Sequence, residues 1–128
     1  MQQADTLRNS VLIIDDDPDI LDVVSLVLSS EGYNVRTAHN RDEGLELLHH
    51  QYHPDAVLLD WAMPGLAIEP FLNEVRKMGL HEKTILVTAG FRAADKAKEL
   101  GLKRFLAKPF DYSALLDAVK SSLPQKIV

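Results

Sequence analysis

The chain has 128 residues, 46% hydrophobic and 26% charged. This composition fits one globular domain and excludes collagen, coiled coil and a disordered chain. The absence of cysteine excludes disulfides, thiolate metal sites and thiol nucleophiles. A formal charge of −5 offers no electrostatic basis for binding nucleic acid. No apolar stretch approaches the roughly 18 residues of a membrane span, so we expect a cytoplasmic protein that contacts neither nucleic acid nor membrane directly.

The first half of the chain alternates apolar runs with amphipathic segments. The uninterrupted apolar run at residues 11–14 predicts a strand that is buried on both faces. A helix is predicted to follow, with Asp17 as its N-cap and Gly32 just beyond its end. Residues 34–38 mix polar and apolar side chains, which is typical of an edge strand, and the second helix is predicted to begin after Asn40.

The second half continues the same alternation. Two further apolar runs predict central strands, whereas a mixed segment predicts a second edge strand. A helix is predicted after each of these strands, the last with Asp111 as its N-cap and Pro124 at its end. The predicted elements are strands at 56–59, 84–87 and 104–107 and helices at 68–78, 93–100 and 112–123.

Five β-α units in a row predict a parallel sheet with helices on both faces. Right-handed crossovers, with the second and fifth strands at the edges, leave the strand order 2-1-3-4-5. The expected fold class is therefore a flavodoxin-like, doubly wound α/β fold with five helices. We expect the domain to span residues 10–124, with an N-terminal tail at 1–9 and a C-terminal tail or the start of a linker at 125–128.

Acidic side chains are concentrated at the predicted carboxyl edge of the sheet, where such folds bind ligands. Asp15, Asp16 and Asp17 follow the first strand, and Asp60 follows the third. Two carboxylates about 5 Å apart repel by roughly 3 kcal/mol at an effective dielectric constant near 20, so the cluster needs a cation or a proton. An all-oxygen set without an EF-hand loop favours Mg²⁺, although Asp17 is more simply a helix cap. Trp61, the only tryptophan, is expected to lie over this crevice.

A hydroxyl and a cation are predicted at the same edge. Thr88 closes the fourth strand and Lys108 follows the fifth. A hydrogen-bond donor, a counter-charge and a metal ion are the groups that a phosphoryl oxygen needs. Together with the aspartates, these residues predict a site for a phosphoryl group.

Four segments contain these residues: VLIIDDDPDI at 11–20, LLDWAMPG at 58–65, VTA at 87–89 and FLAKPF at 105–110. With these segments, the chain resembles the receiver domains of bacterial two-component response regulators. The resemblance implies that Asp60 accepts a phosphoryl group from a histidine kinase or a histidine phosphotransfer protein. The Mg²⁺ ligands would be that carboxylate together with Asp15, Asp16 and the backbone carbonyl of Ala62.

The same resemblance implies roles for residues around the acceptor. Thr88 and Lys108 would grip the phosphoryl group, and Thr88 and Phe105 would form the switch that reports its presence. A downstream protein partner of unknown identity would read the changed surface, and a homodimer that forms on phosphorylation is compatible with the family. Such a receiver is a signalling switch and not an enzyme.

The chain departs from the family pattern in two loops. Residues 66–70 (LAIEP) replace the usual Met-Asp-Gly turn, and the spacing of 20 residues from Thr88 to Lys108 is short for the family. The altered turn keeps open an alternative function, that of a degenerate receiver acting as a phosphorylation-independent docking module.

Other interpretations find less support. A phosphatase of the haloacid dehalogenase type needs a second aspartate two residues after the nucleophile, where Ala62 stands. A nucleotide or flavin module needs a glycine-rich phosphate loop, which is missing. His49, His50 and His53 have the spacing of metal ligands, but Pro54 ends the helix near them, which predicts exposed histidines without a metal.

Overall fold

The computed structural model describes residues 8–123. Its centre is a five-stranded parallel sheet in the order 2-1-3-4-5, which confirms the predicted doubly wound α/β fold with five helices. Most of the predicted N-terminal tail, the helix stop at Pro124 and residues 125–128 lie outside the described residues. Between residues 8 and 123, no helix is both long and apolar enough to cross a membrane.

The strands are short and end side by side. They are β1 (Ser10–Ile14), β2 (Asn34–Ala38), β3 (Ala56–Asp60), β4 (Thr84–Ala89) and β5 (Arg104–Lys108). The central strands β1, β3 and β4 are almost wholly buried, whereas the edge strands β2 and β5 keep several half-exposed side chains. The register pairs Ile14 with Leu59 and Asp60 with Val87, so the carboxyl ends of neighbouring strands are level.

Helices cover both faces of the sheet and thereby form two cores. They are α1 (Pro18–Ser30), α2 (Arg41–His49), α3 (Ile68–Lys77), α4 (Ala93–Glu99) and α5 (Tyr112–Ser122), with one 3₁₀ turn at His81–Lys83. On one face, α1 and α5 contribute core residues such as Leu28 and Val119. On the other, α2, α3 and α4 contribute Leu48, Phe71 and Ala97.

Side-chain caps begin three of the helices where the sequence predicts them. The side chain of Asp17 accepts a hydrogen bond at 2.9 Å from the backbone N–H two residues later. Asn40 and Asp111 cap α2 and α5 by bonding the N–H three residues later, at 2.7 Å and 2.8 Å. Helix α3 instead begins after Ala67, which offers no side-chain cap. The altered turn before α3 therefore depends on contacts from other parts of the chain.

Candidate functional site

The carboxyl ends of four strands bring together side chains from distant parts of the sequence. Asp15 directly follows β1, and Asp60 is the last residue of β3. Thr88 lies one residue before the end of β4, and Lys108 is the last residue of β5. Because parallel strands end at one edge, these side chains surround one crevice, where the sequence predicts a ligand.

Three carboxylates converge in this crevice. Carboxylate oxygens of Asp15, Asp16 and Asp60 all lie within 4.8 Å of one another. Asp15 is 2% exposed and Asp60 is 5% exposed, whereas Asp16 is open to solvent. This all-oxygen set, with one ligand at the water boundary, fits a hard divalent ion that keeps part of its hydration shell, as Mg²⁺ does.

Lys108 bridges the two buried carboxylates. Its Nζ donates to Asp15 Oδ2 at 3.0 Å and to Asp60 Oδ1 at 3.3 Å. Burial lowers the pKa of Lys108, but its bonds and charge interactions with Asp15 and Asp60 outweigh burial and raise the pKa. The lysine is therefore a fixed positive charge at the centre of the crevice.

The pKa of Asp60 is raised, first by burial and then by the negative charge of Asp15. Lys108 acts in the opposite direction and lowers the pKa of this carboxyl. A buried carboxylate beside another carboxylate is poorly solvated, so a cation in the crevice favours its ionised form. The protonation state of Asp60 thus depends on whether a cation occupies the crevice.

Asp17 belongs to the helix and not to the cluster. Besides capping α1, it donates its backbone N–H to Asp15 Oδ1 at 2.9 Å. The predicted role of Asp17 as a cap is confirmed. Its second contact orients the carboxylate of Asp15.

A second lysine reaches the site from α4. Lys96 Nζ lies 3.3 Å from Thr88 Oγ1 and 5.2 Å from the centre of the Trp61 ring. Lys96 of α4 therefore lies over the Trp61 ring and also reaches Thr88. Lys96 carries no signal in the sequence beyond its charge, because its distance from Thr88 depends on how α4 packs against the sheet.

Arg41 supports the loop that follows β3, next to Asp60. It is the first residue of α2, yet only 3% of its surface is exposed. Its guanidinium donates to the backbone carbonyls of Asp60, Trp61 and Leu66. An arginine next to a helix cap usually faces water, so the sequence pattern does not reveal this role.

The remaining predicted site residues are not part of the carboxylate cluster. Phe105 is on β5 with 44% of its surface exposed, and Ala62 lies in the bend after β3. His49 Nε2 lies 3.5 Å from Glu74 Oε1, at the end of α2. In the described part of the chain, the aspartates form the only cluster of three potential metal ligands, so the histidines do not make one.

An apolar groove opens beside the charged crevice. It runs between α1 and the segment that follows β5, and its lining includes Ile20, Val23, Ala89, Lys108, Pro109 and Phe110. Val23 is 60% exposed, so its side chain adds apolar surface at the mouth of the groove. Apolar surface and the bridging lysine thus adjoin each other.

The model of the response regulator receiver domain family matches residues 11–120. The match runs from β1 into α5, so it covers the whole sheet and the crevice. The chain belongs to the family of response regulator receiver domains, the receivers of two-component systems. The resemblance stated from the sequence motifs is thereby confirmed.

Two relatives from Bacillus subtilis (strain 168) illustrate the family. The sporulation initiation phosphotransferase F is 33% identical over 122 residues, which are 94% of this chain and 98% of that protein. The uncharacterized transcriptional regulatory protein YkoG is 33% identical over 120 residues, but the chain spans only 52% of its length.

Solved receiver structures share the fold. The response regulator TrrA of Thermotoga maritima, solved in complex with Mg²⁺-BeF, is 30% identical with a TM-score of 0.78, over 90% of this chain and 99% of TrrA. The chemotaxis protein CheY4 of Vibrio cholerae is 27% identical with a TM-score of 0.75, over 91% of this chain and 99% of CheY4.

Proposed function

We propose that the protein is a phosphorylation-controlled signalling switch in which Asp60 accepts a phosphoryl group from a histidine kinase or a histidine phosphotransfer protein. The observation that carries the proposal is the buried Asp60 carboxylate, held 3.3 Å from Lys108 Nζ inside a cluster of three carboxylates. Asp15 shares the lysine but is also tied by the N–H of Asp17. Asp60 is therefore the less restrained nucleophile.

Transfer forms a bond between an Asp60 carboxylate oxygen and phosphorus, and it breaks the phosphorus–nitrogen bond of the donor. The released imidazole nitrogen takes up a proton from solvent, and Asp60 becomes an acyl phosphate. The carboxylate must be ionised to attack, and Lys108 favours ionisation by lowering the pKa that burial and Asp15 raise. Lys108 then supplies a counter-charge, and Thr88 a hydroxyl donor, for the phosphoryl oxygens.

Mg²⁺ would be held by Asp15, Asp16, Asp60 and the backbone carbonyl of Ala62. Bound there, the ion would neutralise charge on the phosphoryl oxygens during transfer. The carboxylate cluster of this chain supports the assignment, as does the Mg²⁺-BeF complex of the relative TrrA.

The phosphoryl group would be read through Thr88. In the unphosphorylated chain, Thr88 Oγ1 contacts Lys96 on α4. A hydroxyl that turns to a phosphoryl oxygen gives up this contact, so α4 and the exposed Phe105 on β5 would adopt a new arrangement. A downstream protein partner would recognise that arrangement, and a phosphorylation-linked homodimer would use the same surface.

The groove beside Lys108 is a suitable surface for the phosphohistidine donor, because a docked protein there reaches the crevice. Val23→Asp places a charge in the groove at an exposed helix position, where little stability is lost. We expect this variant to accept phosphoryl groups from a histidine phosphotransfer protein at least about tenfold more slowly. Phosphorylation by acetyl phosphate, which needs no docking surface, should be unchanged, and equal slowing with both donors would contradict the assignment.

The alternative function is a degenerate receiver that acts as a phosphorylation-independent docking module. The intact carboxylates and Lys108 argue against it, since a docking module needs no buried charge cluster. We further propose that the domain comprises residues 10–124, that it works in the cytoplasm, and that it acts as a switch and not as an enzyme.

Chemical mapping of the acceptor tests the proposed function. The protein is incubated with acetyl phosphate and Mg²⁺ and then with sodium borohydride, which reduces an acyl phosphate to the alcohol and releases phosphate. Peptide mass spectrometry should find homoserine in place of Asp60 and unmodified Asp15 and Asp16. Reduction at another aspartate, or at none, would overturn the assignment of the acceptor.

A further inference from the structure

Arg41 is a buried cation whose hydrogen bonds all go to one loop. Its Nη1 donates to the Leu66 carbonyl at 2.9 Å, and its Nη2 donates to the carbonyls of Asp60 at 3.2 Å and Trp61 at 2.6 Å. Among the described residues, no carboxylate lies within salt-bridge distance of its guanidinium. The side chain therefore connects α2 to the backbone on both sides of the bend after β3.

The hydrogen bonds of Arg41 hold the two peptide groups that follow the Asp60 side chain along the chain. The Asp60 carbonyl belongs to the residue proposed as acceptor, and the Trp61 carbonyl belongs to the peptide unit that leads into Ala62. A peptide unit is planar, so fixing its carbonyl also fixes the direction of the N–H on its other side. The N–H that follows the Asp60 carbonyl is that of Trp61, and it donates to Val87 of β4 at 2.8 Å.

The segment between this bend and α3 has no side-chain cap to fix its conformation. Helix α3 begins after Ala67, which provides no side-chain cap, and residues 66–70 lack the turn that is usual in the family. The bond from Arg41 to the Leu66 carbonyl holds the far end of the bend. Arg41 thus spans the loop from the end of β3 to the start of α3.

The burial of Arg41 is costly in itself. Desolvation lowers the pKa of Arg41, while the charge of Asp60 raises it, and Nε is buried without a hydrogen-bond partner. A buried charge contributes little to stability compared with an apolar side chain of similar size. What the guanidinium provides, and an apolar side chain could not, is the set of hydrogen bonds to residues 60–66, which we call the acceptor loop.

We propose that Arg41 is a positioning residue that fixes the acceptor loop for phosphorylation and Mg²⁺ binding. The inference rests on the proposed function of Asp60. Groups that orient a metal ligand or a nucleophile typically change affinity or rate by about 10- to 100-fold when they are removed. We expect Arg41→Ala to reduce the rate of phosphorylation by acetyl phosphate at a fixed Mg²⁺ concentration by a factor in this range.

Guanidinium rescue separates positioning from a general loss of stability. Arg41→Ala leaves a space of guanidinium shape, so guanidinium chloride at tens of millimolar should restore most of the lost rate. Because guanidinium is a denaturant, it cannot repair a protein that is merely destabilised. Arg76→Ala is the matched control, since Arg76 also donates to a backbone carbonyl, that of Leu100 at 2.7 Å, but lies away from the crevice. Its rate should equal that of the unsubstituted protein.

Hydrogen exchange supplies a measurement that needs neither Mg²⁺ nor phosphoryl transfer. Without Mg²⁺, peptides covering residues 60–67 should exchange faster in Arg41→Ala and slow again when guanidinium is added, while Arg76→Ala leaves them unchanged. If Arg41→Ala does not fold, exchange of the same peptides is measured in Arg41→Lys. They should again exchange faster than in the unsubstituted protein, because an ammonium keeps the charge but not the forked donors.

The outcomes distinguish this proposal from the proposed function. An unchanged rate in Arg41→Ala, or a slowed rate and faster exchange that guanidinium does not restore, would overturn the role of Arg41. If the unsubstituted protein gains no phosphoryl group, the proposed function fails, and hydrogen exchange still decides whether Arg41 fixes the loop.

Discussion

Lys108 bonds both buried carboxylates of the crevice, at 3.0 Å from Asp15 and 3.3 Å from Asp60. One ammonium group cannot fully compensate three carboxylates within 4.8 Å of one another. Burial, and after it the negative charge of Asp15, keeps the pKa of Asp60 raised despite the lysine. In the absence of a metal ion, the crevice is therefore a locally unfavourable part of the fold.

Neutralising Asp60 should therefore stabilise the protein when Mg²⁺ is absent. We expect Asp60→Asn to raise the free energy of unfolding at pH 7 by about 1 kcal/mol, because it removes charge repulsion from a buried site. The folded-state pKa of Asp60 lies above its ordinary value of 3.8, so the ionised form penalises folding at neutral pH. The gain should therefore shrink as the pH falls through the raised pKa and vanish below 3.8.

Urea unfolding at several pH values measures this gain. Asp22→Asn, at an exposed position of α1, is the control and should change stability little. Saturating Mg²⁺ should stabilise the unsubstituted protein more than Asp60→Asn. An Asp60→Asn variant that is less stable than the unsubstituted protein at pH 7 without Mg²⁺ would show that the ionised Asp60 does not destabilise the fold.

Lys96 offers a second prediction, because its ammonium lies 5.2 Å from the centre of the Trp61 ring. We expect Lys96→Met to change the position or intensity of Trp61 emission, since it removes a charge next to the indole. Lys98→Met is the matched control on the exposed side of α4 and should leave the spectrum unchanged. Identical spectra for all three proteins would show that Lys96 does not contact the ring in solution.

Among the elements, α2 packs unusually close to the strand that leads into the acidic cluster. A Cβ atom built on Gly44 would lie 2.6 Å from Ile14 Cδ1 and 3.2 Å from Cγ1. Glycine at this point allows α2 to approach β1 and so brings Arg41, at the start of the same helix, to the loop after β3. The position of the helix and the position of the arginine are thus linked.

Gly44→Ala tests this close approach. On an exposed helix the substitution would stabilise by about 1 kcal/mol through helix propensity. Here we expect a net loss of about 1 to 2 kcal/mol in the free energy of unfolding, because the added methyl group overlaps a buried Ile14 side chain. Thermal unfolding measures whether the free energy of unfolding falls or rises. A stabilised variant would show that α2 moves away from β1 without loss of stability.

Much of the fold is predictable from local patterns. The central strands appear as continuous apolar runs because both of their faces are buried, and the caps at Asp17, Asn40 and Asp111 act on N–H groups two or three residues away. The 3₁₀ turn at His81–Lys83 was not predicted, since three residues are too few to show a periodic pattern.

The candidate site was predictable only in part. Its strand-end residues share an edge because of topology alone, so their grouping follows once the strand order is known. Arg41 and Lys96 reach the site through side chains whose direction depends on helix packing, over sequence separations of 19 and 8 residues. No periodicity in the sequence reports such contacts.

In the molecule as a whole, the sheet separates two apolar cores and ends at one charged edge. The crevice adjoins helices of both faces, since Asp17 caps α1 on one side and Arg41 begins α2 on the other. A change of charge at Asp60 can therefore alter contacts on both faces, which is what a switch requires.

Phosphorylation of Asp60 with the help of Mg²⁺ can be detected by intact mass spectrometry after incubation with acetyl phosphate. We expect the mass of one phosphoryl group to be added when Mg²⁺ is present and not when a chelator is in excess, and we expect no addition to Asp60→Asn under either condition. An equal mass gain in Asp60→Asn, or in excess chelator, would show that Asp60 is not the Mg²⁺-dependent acceptor.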